Sequence, residues 1–257
     1  MKNVLDYIDR LNCSVGVYYK ELETQYMFEY NSDKIFPSAS TIKVPILLAL
    51  FNKVLKGEID LNKRIKIQKD YTVSGAGIVY LLDENNTYTL LDLAKLMIVL
   101  SDNTATNIII DLLGFEYINK YFKEIGLNET ILQRKMMDFD RKRLGFDNFT
   151  SARDLGLTFY KLCKKEVLNP YYCNLAIEIL KEQKLKGGLD RYLGNKYEIA
   201  HKTGELNNLE HDCGIVFKDH KTFIVVILTE GEENYILKDV IGNITSKLIK
   251  GSDLNEK

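Results

Sequence analysis

The 257-residue sequence has no tryptophan, three prolines, three histidines and four cysteines. His201, His211 and His220 are too few, and too close to strand-like segments, to argue for a Ser-His-Asp triad or a metal site. Cys13, Cys163, Cys173 and Cys213 are scattered and include no Cys-x-x-Cys pair. That excludes a disulfide framework or a zinc site and leaves reduced thiols. Charge of one sign is lacking too: 35 Lys and Arg face 36 Asp and Glu, a net charge of −1. No field of that size recruits nucleic acid or an anionic membrane. No stretch is apolar for long enough to span a bilayer. The N-terminal MKNVLDYIDRLN mixes charges with short apolar steps and has no signal-peptide h-region, so the expected location is cytoplasmic. Internal repeats and low-complexity segments are absent from the sequence.

What is there is organised around FPSASTIKVPILLALFNKV, residues 36–54. Between Thr41 and Leu55 only Lys43, Asn52 and Lys53 are strongly polar, so a helix here is apolar on nearly every side and belongs in a core. Ser40 and Lys43 stand three apart at its start and share one face. A serine hydroxyl needs a neighbouring base to become a nucleophile. A lysine can be that base when desolvation and the positive end of a helix lower its pKa. Pro45 suits the opening turn of a helix. Taken alone, Ser-x-x-Lys reads more simply as a helix N-cap followed by a snorkelling lysine.

Around this core the chain reads as strands at both ends and helices between. Residues 3–12 have the spacing of a short amphipathic helix, and 13–22 with 24–31 form a hairpin. A short strand and glycine-rich and asparagine-rich loops occupy 63–89, with Tyr71 to Gly77 as a pocket rim. Helices are expected over 90–100 and 104–114 and through FEYINKYFKEIGL; residues 134–150 read as a loop. Ser151 and Asp154 resemble a capping box opening the next helix, followed by another over 171–185. Strands at 198–205, 213–218 and 221–230 precede a terminal amphipathic helix. The expected fold is α/β (α+β), an antiparallel sheet of about five strands from both chain ends, flanked by terminal helices. Residues 1–36 together with 195–257 would form the sheet domain and 37–194 an inserted all-helical domain.

Two further clusters fall at structural breaks. Ser101-Asp102-Asn103 lies between two apolar helices, and Lys202-Thr203-Gly204 ends a strand. Each has an ordinary reading, as a helix start and as a turn. In this order, Ser40-Thr41-Ile42-Lys43, Ser101-Asp102-Asn103 and Lys202-Thr203-Gly204 resemble the three signature motifs of class A β-lactamases and penicillin-binding proteins, and the likeness covers nearly the whole chain.

The resemblance implies a β-lactamase/transpeptidase-like fold and a serine hydrolase with no metal or organic cofactor. Ser40 would attack the carbonyl of a β-lactam or a related amide or ester, and Lys43 would take its proton. The backbone N–H groups of Ser40 and Glu205 would form the oxyanion hole. Ser101 would relay a proton to the leaving nitrogen, with Lys202 holding its hydroxyl. Lys202, Thr203 and Gly204 would bind a substrate carboxylate, and Asn103 the substrate's amide side chain. The partner is thus a small molecule, with no nucleic acid or membrane, and the chain is expected to be a monomer.

One departure stands out. In the class A family a loop glutamate activates the deacylating water. Here Arg134 aligns with that loop, but the position two beyond is Met136, and no glutamate occurs between Glu129 and Glu166. Asp138 and Asp140 are the nearest acids, with Asp138 the alternative base and surface charge their plain reading. Three rivals therefore stay open: a penicillin-binding or D,D-peptidase-like protein that acylates without efficient turnover, an intracellular amidase or esterase, and a non-catalytic ligand sensor.

Overall fold

The structure, a computed structural model, describes residues 2–194 and 196–253. It opens with α1 (Lys2–Ile8), β1 (Ser14–Glu21), β2 (Met27–Tyr30) and β3 (Ile35–Pro37). A 3-10 turn (Ala39–Ile42) runs into α2 (Lys43–Leu55), followed by β4 (Arg64–Lys66) and β5 (Thr87–Thr89). The middle continues as α3 (Leu90–Val99), α4 (Asn103–Leu113), α5 (Phe115–Glu124), α6 (Phe139–Arg143), β6 (Phe149–Ser151), α7 (Ala152–Lys164) and α8 (Pro170–Lys181). Then come β7 (Glu198–Leu206), β8 (Leu209–Lys218), β9 (Lys221–Glu230) and α9 (Asn234–Asp253).

The run KTFIVVILTE explains the architecture. Side chains of a strand alternate between faces, so an unbroken apolar strand must be covered on both. Phe223, Val225 and Ile227 enter a core with Val4, Ile8, Ile244 and Leu248 of the two terminal helices. Ile224, Val226 and Leu228 enter the larger core shared with α2. The sheet is five-stranded and antiparallel in the order β2-β1-β9-β8-β7. Both chain ends meet in it, with Ser14 opposite Glu230 and Glu21 opposite Phe223. β7 is left as an edge.

As its composition demands, α2 is buried continuously from Lys43 to Phe51, with α3, α4, α5 and α8 around it. Each large aliphatic side chain so buried contributes about 1.5–3 kcal/mol. Pro45 sits in the first turn, where a missing N–H breaks no helical bond. The middle segment also carries two short antiparallel ribbons, β3–β6 and β4–β5.

Two local readings need correction. Residues 134–150 are not only loop, because Asp138 Oδ1 accepts from the Arg141 N–H at 3.0 Å and so starts α6. At α7 the Ser151 hydroxyl accepts from the Asp154 N–H at 3.1 Å. The Asp154 carboxylate, instead of returning to Ser151, accepts from the Glu129 N–H at 2.8 Å and the Thr130 hydroxyl at 2.7 Å. It thereby anchors the segment that leads into residues 133–148. Asp154→Ala strands those donors in a buried site and is expected to lower the unfolding free energy by roughly 2–4 kcal/mol in urea. A loss below about 0.5 kcal/mol, the range of an inert surface change, would remove Asp154 as the anchor.

Candidate active site

A cleft of about 620 Å³ opens between the edge of the sheet and the helical half, lined by Ser40, Ser101, Asn103, Thr203 and Glu205 among others. The three motifs, distant in sequence, therefore converge on one place. Ser40 lies in the 3-10 turn that becomes α2, so its backbone sits at the positive end of a buried helix. The residue before it, Ala39, has φ +45°, a left-handed conformation that an alanine rarely adopts. The turn is held from outside: the Thr41 hydroxyl donates to Ser38 O at 2.6 Å, and the Ser38 N–H donates to Asn148 O at 2.8 Å. The Ser40 hydroxyl has no hydrogen-bond partner among the described residues.

Lys43 and Lys202 lie fully buried beneath this surface. Lys43 Nζ is 2.7 Å from Ser101 O, 3.0 Å from Asn103 Oδ1 and 3.1 Å from Ser101 Oγ. Lys202 Nζ is 3.1 Å from the same Oγ and 2.7 Å from Thr203 O. Desolvation, then the charge of Lys202, pushes the Lys43 pKa well below its ordinary value, against a weaker pull from Asp102. Burial lowers Lys202 to about 8, opposed by Cys213 and Asp212. Both amines reach the same oxygen, and burial together with the neighbouring charge favours the neutral form at Lys43. Its Nζ donates to Ser101 O and Asn103 Oδ1.

Ser101 has φ +54°, which turns both its carbonyl and its hydroxyl toward Lys43. Asp102 caps α4, accepting from the Ala105 N–H at 2.8 Å. Its other oxygen accepts from the Ile78 and Val79 N–H groups at 2.7 and 2.9 Å. That carboxylate therefore holds the glycine-rich segment in which Gly75 and Ala76 line the cleft. Asn103 Nδ2 donates to Ser74 O at 3.2 Å. Across the cleft, a Cβ on Gly204 would come 3.0 Å from Thr41 Cγ2 and 3.1 Å from Ala39 Cβ. Glycine there lets β7 close on the 3-10 turn that carries Ser40.

The far wall is residues 133–148, closed at its neck. Arg134 Nε donates to Asp147 Oδ1 at 2.7 Å, and Asn148 Oδ1 accepts from the Gln133 and Arg134 N–H groups at 2.8 and 3.0 Å. Asn107 grips Met136 from α4, accepting from its N–H at 2.8 Å and donating to its carbonyl at 3.0 Å. Met136 lines the cleft. Asp138 does not: its carboxylate caps α6, and Asp140 pairs with Arg143 on the surface. The acids that do line the cleft are Asp147, Glu205 and Glu210. Sequence reasoning passed over Asn107, Asn148, Asp147 and Glu210. Asn107 had a signal, a second asparagine one turn after Asn103 on an otherwise apolar helix; the others had none.

Glu210 is buried, which raises its pKa to about 7, and it meets Asn234 Nδ2 at 2.9 Å and Lys238 Nζ at 3.2 Å. His211 lies within β8, not at a turn. Its Nε2 is assigned as donor to Pro37 O at 2.9 Å, with Nδ1 accepting from the Thr229 N–H at 3.1 Å. Burial depresses its pKa to about 4 and keeps it neutral. His201, beside Lys202, pairs with Asp212 at 2.9 Å.

A family model described as the β-lactamase enzyme family matches residues 1–251. β-Lactamase BRO-1 of Moraxella catarrhalis is 23% identical over 210 residues, 78% of this chain and 66% of that protein. β-Lactamase AER-1 of Aeromonas hydrophila is 26% identical over 197 residues, 76% of this chain and 65% of that protein. The chain thus spans about two thirds of the length of these curated relatives. A β-lactamase structure from Sphaerobacter thermophilus superposes with a TM-score of 0.91 at 26% identity, covering 98% of this chain and 97% of that one. A mutant of PBP-A solved as an acyl-enzyme with penicillin G gives 0.90 at 30% identity, covering 98% and 97%. With its motifs gathered on one cleft and a family model matched almost from end to end, this chain belongs to the β-lactamase enzyme family.

Proposed function

We propose that this protein is a serine hydrolase that opens β-lactams or related cyclic amides through an acyl-enzyme on Ser40, with slow deacylation. The observation that carries this reading is the buried, deprotonation-prone Lys43 one turn from Ser40, its amine oriented by Ser101 O and Asn103 Oδ1. In the proposed sequence the Lys43 lone pair takes the Ser40 proton as Oγ attacks the carbonyl. The Ser40 and Glu205 N–H groups receive the oxyanion. Ser101, with Lys43 and Lys202 both at its oxygen, passes its own proton to the leaving nitrogen and is reprotonated through Lys43. Lys202 and Thr203 hold a substrate carboxylate, and no step requires a metal or organic cofactor.

Hydrolysis of the ester needs a base for water, and Met136 cannot be one. Asp147 is committed to Arg134. The remaining acids of the loop are Asp140, paired with Arg143 on the surface, and Asp138, whose carboxylate is engaged with the Arg141 N–H. Met136 thus favours a second reading within the same chemistry, a penicillin-binding or D,D-peptidase-like protein that acylates with little turnover. An amidase or esterase acting in the cytoplasm would use the same steps.

Incubation with benzylpenicillin is expected to add one intact penicillin mass to the wild type and none to Ser40→Ala; hydrolysis surviving in Ser40→Ala would overturn the scheme. Met136→Glu, whose backbone Asn107 already clamps, is expected to shorten the adduct's lifetime at least about tenfold. An unchanged lifetime would shift attention to Asp138. The lowered Lys202 pKa sets a pH limb: its ammonium is needed charged, so acylation should fall as pH rises through about 8. A rate that is flat or rising across that range would exclude Lys202⁺ from the step.

A further inference from the structure

Three charged side chains at one end of the cleft have no part in the proposed chemistry. Glu205 of β7, Glu210 of β8 and Lys238 of α9 all line it. Strand register explains their meeting. Glu205 stands opposite Glu210, and Thr203, two residues before Glu205, lies on the same face about 7 Å along the strand. Lys238 Nζ sits between the two carboxylates, 3.2 Å from Glu205 Oε2 and 3.2 Å from Glu210 Oε1.

The two contacts are unequal. The Glu205 side chain is 63% exposed, so water screens its pairing and leaves it weak. The Glu210 side chain is 4% exposed, and Asn234 Nδ2 donates to its Oε1 at 2.9 Å and to Leu206 O at 2.8 Å. From β9 it is met by Thr229, whose hydroxyl donates to Glu210 O at 2.6 Å. A buried carboxylate is costly to leave without its counter-ion, so the charged form of Glu210 keeps hold of Lys238. The other lysines lining this wall are engaged elsewhere: Lys184 Nζ meets Glu182 at 3.3 Å, and Lys186 Nζ meets His201 Nε2 at 3.3 Å. Burial, aided by the charge of Glu205 and opposed by Asn234 and Lys238, raises the Glu210 pKa to about 7. Below that value Glu210 is neutral, and the exposed Glu205 is left as the carboxylate facing the Lys238 ammonium.

We infer that Glu210 sets the charge selectivity of the leaving-group end by withholding Lys238 from the substrate, and that a neutral Glu210 releases Lys238 to a substrate carboxylate beside Thr203. This rests on the acyl-enzyme reading of Ser40. Glu210 acts through Lys238 as a positioning residue and touches no reacting atom. The preference for a carboxylate-bearing substrate over an uncharged one therefore grows as pH falls through the Glu210 pKa.

The test times acylation by intact mass, one pH unit below and one above the Glu210 pKa. The two compounds are benzylpenicillin and its methyl ester, which has the same acyl side chain but no carboxylate. The ester rate shows that each variant is folded with a competent Ser40. In the wild type the carboxylate-to-ester rate ratio is expected to be roughly tenfold larger at the lower pH, following the neutral fraction of Glu210. Glu210→Gln, which keeps an oxygen for Asn234, should already show a ratio raised about tenfold at the higher pH, and Lys238→Met added to it should remove that gain. The titration of Lys202 contributes only a rise common to both proteins. A wild-type ratio flat to within about twofold, a Glu210→Gln ratio within about twofold of the wild type at the higher pH, or a gain that survives Lys238→Met would overturn the role of Glu210 and leave the acyl-enzyme reading standing. No adduct with either compound would overturn both.

Discussion

Two buried ammonium groups cannot comfortably share one hydroxyl oxygen, and the site is arranged around that constraint. Lys43 and Lys202 each stand 3.1 Å from Ser101 Oγ, with no solvent to screen them. At such separations in a weakly polarizable interior, like charges repel by several kcal/mol. Emptying one site of its proton relieves that repulsion, which is the direction in which the Lys43 pKa is pushed. Lys43, with two carbonyl-type acceptors for the hydrogens it keeps, is the better neutral amine. The Lys202 pKa is lowered only to about 8. The left-handed backbone of Ser101 costs about 1–2 kcal/mol. In return both its oxygens reach Lys43, and the geometry of the base is set by a residue fifty-eight positions away.

The framework of the opposite wall is largely independent of the side chain it presents. Arg134, Asp147, Asn148 and Asn107 act on backbone groups or on one another, so the loop is positioned whatever stands at 136. That separation of scaffold from side chain means position 136 can be changed without disturbing the contacts that hold the loop.

Much of the fold was legible because its signals are local and strong. The α2 segment is apolar on nearly every side, and β9 is apolar without a break from Phe223 to Leu228, so each could only be interior. The three motifs were legible because the family they resemble carries those residue types in that order. Gly204 was readable as part of a motif, but its reason, the 3.0 Å approach to Thr41, was not. Asn148, Asp147 and Glu210 were invisible for a physical cause. Their work is to satisfy backbone donors or ions brought near by tertiary folding, which leaves no periodicity in the chain. Asp138 misled in the opposite sense, since a carboxylate placed near a site by sequence went to cap a helix.

The sheet also carries a consequence for how the molecule is made. β1 pairs along its whole length with β9, the last strand of the chain, and β7 reaches β1 only through β8 and β9. During synthesis the first hairpin therefore emerges with an unmatched edge and waits until β9, about two hundred residues later, has left the ribosome. The helices of the middle segment, whose contacts are nearer in sequence, can collapse meanwhile. The wall bearing Lys202 and Thr203 closes last, so a nascent or truncated chain carries Ser40 and Lys43 but has no cleft in which to use them.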